Sequence, residues 1–73
     1  MVDWDLVPRI AMRLLNYRDK LPRSVLDDIT LAYMLKSDIQ LLESLLLAVS
    51  SLVKQGVNDS ELYELVSKAI VLE

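Results

Sequence analysis

The chain has 73 residues, is 53% hydrophobic, carries a net charge of −3 and contains neither cysteine nor histidine. That inventory excludes disulfides, thiol nucleophiles, imidazole bases and the usual soft or imidazole metal ligands, and with them most hydrolytic triads and zinc centres. One domain over residues 1–73 is expected, small enough to bury only about 60% of its unfolded surface.

The first helix is expected over about 5–17. Asp5 can cap it, and Pro8 sits in the first turn, where a missing N–H does no harm. Leu6, Val7, Ile10, Ala11, Leu14, Leu15 and Tyr17 share a face; Arg9, Arg13 and Asn16 lie opposite, with Met12 beside them. Residues 18–23 form a polar connection that contains Pro22. Ser24 can cap a second helix over about 24–36, with Asp27 favoured by the N-terminal dipole. Its Val25, Leu26, Ile29, Ala32 and Tyr33 face one way, while Leu31, Met34 and Leu35 point elsewhere. Residues 29–35 also suit a short strand.

The third helix, about 38–55, opens on the capping box Ser37-x-x-Gln40 and stops at Gly56. Ile39, Leu41, Leu42, Leu45, Leu46, Ala48, Val49, Leu52 and Val53 occupy one half of its wheel, and only Leu47 breaks the partition. A surface helix needs an apolar stripe of about 100°. One nearly twice as wide must be covered from more than one direction, by several helices or by a partner. The fourth helix is expected over about 59–72, opened by a second capping box, Asn58-x-x-Glu61, with Val57 and Leu62 at staple spacing. Leu62, Tyr63, Leu65, Val66, Ala69, Ile70 and Leu72 share one half, and Glu64 with Lys68 forms an i,i+4 pair on the other. The short connection makes helices three and four an antiparallel hairpin. The expected fold is all-α: a four-helix array with this C-terminal hairpin. Sixteen leucines in so small a chain argue for a homodimer.

No catalytic constellation stands out. Asp27-Asp28 and Glu61 with Glu64 sit at helix starts, where the dipole favours acids. A single glycine makes no phosphate-cradling loop. No enzyme activity, cofactor or metal is expected. The longest unbroken apolar run, Leu45–Val49, falls far short of the ~20 residues of a membrane span. The acidic start Met-Val-Asp-Trp-Asp does not look like a secretion signal. A cytoplasmic location is the expectation.

Two surfaces are candidates for binding. Arg9, Arg13, Arg18, Lys20 and Arg23 gather five cations against one acid, Asp19, and can dock an acidic protein surface or touch phosphates. Met12, Leu31, Met34, Leu47 and Val71 lie off the main apolar faces and suggest a self-association surface.

The run Leu52-Val53-Lys54-Gln55-Gly56-Val57-Asn58-Asp59-Ser60-Glu61-Leu62, with Leu65 beyond it, resembles the helix–glycine turn–helix of DNA-binding helix-turn-helix proteins. It also resembles the second half of ribbon-helix-helix repressors, with 29–35 as the ribbon. Either resemblance implies a DNA-binding regulator. The outward residues Asp59, Ser60, Glu61 and Glu64 depart from that pattern, since acids repel phosphate. So do Thr30, Ala32 and Met34, which bring no basic side chain to base edges. A protein–protein interaction module is therefore the first expectation, and a DNA-binding regulator the alternative.

Overall fold

The computed structural model describes residues 1–70. Among them are four α-helices: α1 (Val7–Leu14), α2 (Arg23–Met34), α3 (Asp38–Lys54) and α4 (Ser60–Ala69), with a 3-10 turn over Leu15–Lys20. The all-α expectation holds, and residues 29–34 are helical rather than a strand. That removes the ribbon on which a ribbon-helix-helix arrangement would depend.

Several boundaries move for local reasons. Asp5 does not cap α1; Asp3 instead accepts the N–H of Asp5 on its side chain at 3.1 Å, and Leu6 precedes the helix. The first helix tightens into 3-10 geometry at Leu15, and Tyr17 leaves helical angles at φ −114°, ψ 16°. Leu21, expected in a polar connection, is buried and anchors the turn. Pro22, not Ser24, stands at the N-cap of α2, and its carbonyl accepts from Val25 and Leu26 at 3.1 and 3.2 Å. Ser37 is the N-cap of α3 as expected, but its side chain makes no capping bond. At α4 the cap is Asp59, one residue after Asn58. The fourth helix ends at Ala69 instead of 72, because Ile70 turns extended and bridges to Val2, while Asp3 donates its N–H to the Ala69 carbonyl at 2.7 Å.

Two helices end on the same device. Gly56, at φ +79°, follows α3; its N–H reaches the Val53 carbonyl, and the N–H of Val57 reaches that of Leu52. This is a Schellman closure. Lys36 closes α2 in the same way, with its N–H on Tyr33 and that of Ser37 on Ala32, but at φ +54° without being glycine. A side chain in the left-handed region costs about 1–2 kcal/mol. Glycine relieves this but gains freedom in the unfolded chain. Lys36→Gly is expected to stabilise the fold by a net ~0.5–1 kcal/mol. A urea unfolding midpoint unchanged or lowered in that variant would contradict this account of the turn.

The core gathers Val7, Ile10 and Leu14 of α1, Leu21, Ala32 of α2, Leu41, Leu45, Ala48, Val49 and Leu52 of α3, and Leu62 and Ala69 of α4. The α2–α3 pair packs most extensively, and α4 docks mainly on α1. The antiparallel pairing expected between α3 and α4 is not among the extensive helix contacts. The Cα trace measures 31 × 29 × 17 Å. A slab 17 Å thick holds two helix layers, so every helix keeps one face toward solvent. That shape is why large apolar side chains remain uncovered on α1, α2 and α3.

Candidate interaction surface

The basic segment does not act as one unit. Arg13, its side chain still 34% exposed, grips Asp59, with its Nε at 3.1 and 3.2 Å from the two carboxylate oxygens and a terminal nitrogen at 3.1 Å. Its other terminal nitrogen meets Glu61 at 2.9 Å. Tyr17 donates its hydroxyl to the same Asp59 carboxylate, which also accepts the Leu62 N–H at 3.1 Å. Asp59 is buried, its side chain 5% exposed. One carboxylate thus caps α4 and ties that helix to α1 and the 3-10 turn. The Arg13 guanidinium, the Tyr17 hydroxyl and the Leu62 amide favour the charged form against the opposing effect of burial, and hold Asp59 down at about 2. Their own hydrogen bonds to Asp59 raise Arg13 and Tyr17 above their ordinary values.

This cluster is a tertiary clamp, not a reactive centre. Every buried side-chain polar atom among the described residues has a partner, and no group of acids there is spaced to hold a metal ion. Arg9, Arg18, Lys20 and Arg23 remain exposed, without an ion-pair partner among the described residues. The 3-10 turn that carries Arg18 and Lys20 is held by Gln55, whose amide donates to the Lys20 carbonyl at 2.8 Å. The expected Glu64–Lys68 pair forms on the open face of α4 at 3.0 Å.

The apolar candidates fall into two places. Met12 and Met34 face each other across an open groove of about 400 Å³ between α1 and α2, which do not pack closely on one another. Pro8, Leu15, Ile29 and Tyr33 complete its walls. Met12, Leu15, Tyr33 and Met34 are each more than half exposed. Leu15 and Tyr33 were expected on buried faces. Leu15 is turned out where the helix tightens, and Tyr33 stands at the edge of the α1–α2 gap. Leu31 and Leu47 line a separate, shallower groove of about 290 Å³ between α2 and α3. Val71 lies outside the described residues.

By helix periodicity Arg9 lies on the Met12 side of α1, and Arg23 shares the Thr30–Met34 side of α2. The α1–α2 groove itself is mainly apolar; Arg9 and Arg23 are exposed on the same two helices but are not among the residues that line it. No helix among the described residues is long and apolar enough to cross a membrane. The chain matches no protein-family model, no curated protein and no solved structure.

Proposed function

We propose that this chain is a small, non-enzymatic protein–protein interaction module of the cytoplasm, an adaptor, regulator or complex subunit that also self-associates. The observation that supports this reading most is the α1–α2 groove, with four large apolar side chains presented to solvent. Exposed apolar patches with polar rims mark interaction sites on small soluble domains, and methionine suits a surface that adapts to its partner. Arg9 and Arg23, exposed on the same two helices as the groove, favour a partner of opposite charge. The occupant is an amphipathic helix with apolar anchors and acidic flanks, laid into the groove.

One observation favours a second reading, a DNA-binding regulator: Arg9, Arg18, Lys20 and Arg23 stay exposed. Arg13, however, is taken up by Asp59 and Glu61. The helix that would read bases, α4, presents exposed Glu61 and Glu64. Little or no duplex binding is expected at physiological salt. Affinity capture from the host separates the two readings. Protein retained by the wild type and lost with Met12→Glu or Met34→Glu supports the groove. Bound nucleic acid that survives those changes, but is lost with Arg9→Ala and Arg23→Ala, supports the regulator. Sequence-specific duplex binding at ~150 mM salt with nanomolar affinity, falling steeply with added salt, overturns the adaptor reading.

A further inference from the structure

The apolar half of α3 divides in two. Leu41, Leu45, Ala48, Val49 and Leu52 are buried against the neighbouring helices. Ile39, Leu42, Leu46 and Val53 form a second stripe on the outward side, with Ile39 66% and Val53 57% exposed and Leu42 and Leu46 half-buried between them. Val49, 9% exposed and part of the core, falls between them and completes the spacing 39, 42, 46, 49, 53, alternating steps of three and four residues. That is the spacing of a coiled-coil seam, with Val49 at its buried edge and Ile39, Leu42, Leu46 and Val53 left to meet a second helix. The stripe runs about 21 Å along the helix, and every residue on it is β-branched or leucine.

We infer that α3 pairs antiparallel with α3 of a second copy of this chain along this stripe. The inference rests on the self-association proposed above and names its surface. Charge decides both occupant and direction. Glu43 and Lys54 lie on the same flank of the stripe, toward opposite ends, exposed and without ion-pair partners among the described residues. Set antiparallel with Leu42 against Val53 of the second copy, the two Leu46 side chains flank the two-fold. In that register Glu43 lies about 3 Å along the axis from Lys54 of the second copy, and the two-fold repeats the pair. A parallel pairing sends the flank that carries Glu43 and Lys54 to opposite sides of the seam on the two copies, so neither cross-pair forms. The antiparallel arrangement also opposes the two helix dipoles, each carrying Asp38 at its positive end and Lys54 at its negative end. A two-fold seam of this kind uses one patch on both subunits. On the Glu43 side it continues into the groove lined by Leu31 and Leu47, which gives two of the uncovered leucines a place at the dimer's margin.

Sedimentation equilibrium over the range from one to one hundred micromolar tests the seam. The wild type is expected to be a dimer. Leu46→Lys places a charge at the centre of the interface twice and is expected to weaken association on the order of 100-fold, leaving a helical monomer by circular dichroism. Glu43→Lys is expected to weaken it about tenfold, since two attractions become two repulsions. Glu43→Lys combined with Lys54→Glu restores the wild-type affinity. Glu43 is exposed, so the charge-swap series carries the test should Leu46→Lys lose its helical signal. A dimer insensitive to both single changes, or a double variant no better than Glu43→Lys alone, overturns the seam. Dissociation by Met34→Glu instead also overturns it, while self-association through the other apolar surface stands. A wild type that is monomeric throughout overturns the seam and the self-association reading together.

Discussion

Replacing Leu45 by alanine is expected to cost about 2–5 kcal/mol of folding stability. Leu45 is 1% exposed at the middle of α3, within the core that joins all four helices. Its truncation removes buried methyl groups and leaves a cavity in a slab with only two helix layers to close around it. A domain of this length has a total stability of about 4–11 kcal/mol, so the variant stands close to unfolding at ordinary temperature. The thermal midpoint is expected to fall by at least ~8 °C, taking about 4–8 °C per kcal/mol for a domain of this size. Chemical denaturation showing a loss below about 1 kcal/mol removes Leu45 from the core and, with it, the reading that the buried stripe of α3 organises the fold.

Asp59→Ala is expected to cost about 2–3 kcal/mol, combining the loss of an N-cap with the loss of charge-assisted hydrogen bonds. Asn at the same position keeps a cap for the Leu62 N–H but loses the charge that Arg13 grips, and a smaller loss is expected. The pH dependence separates the two contributions. Asp59 titrates near 2 in the fold against 3.8 for an unperturbed carboxyl. The unfolded chain therefore binds the proton first as pH falls. The stabilisation is fully present above about pH 5 and disappears as pH drops through about 2. Asp59→Asn is expected to flatten the stability profile between those limits while leaving the profile near neutrality parallel to the wild type. An Asn variant whose acid profile keeps the wild-type slope shows that other carboxylates carry the acid sensitivity. Tyr17→Phe is expected to raise the acid midpoint, because one of the two side chains that stabilise the Asp59 carboxylate is gone.

Helical class, the number of helices and most of their extents follow from residues close together in the chain. The alternation of apolar and polar faces and the stop at Gly56 act within one or two turns, so they survive whatever the helices pack against; Ser37 holds the N-cap position of α3 but makes no side-chain capping bond. The width of the apolar face on α3 also follows from spacing alone, and it correctly demanded more than one covering surface. Composition removes histidine and cysteine chemistry without reference to any fold. The cap of α4 shows where local reasoning stops. Asn58 and Asp59 are both able to cap, and the choice falls on Asp59, whose carboxylate also receives Arg13 and Tyr17 from 46 and 42 residues away in sequence.

Only the tertiary structure decided the remaining points, because each depends on which helix lies beside which. α4 docks mainly on α1, and its pairing with α3 is not among the extensive helix contacts. That same docking took Arg13 out of the basic surface and made it a structural partner. It left α1 and α2 apart, which opened the groove and exposed Leu15 and Tyr33. It also divided the apolar half of α3 into a covered and an uncovered stripe, since a two-layer slab offers neighbours on only one side of each helix. Periodicity marks a residue as apolar-facing, but the free energy of burying it depends on an opposing surface, and the position of that surface is a property of the packed molecule.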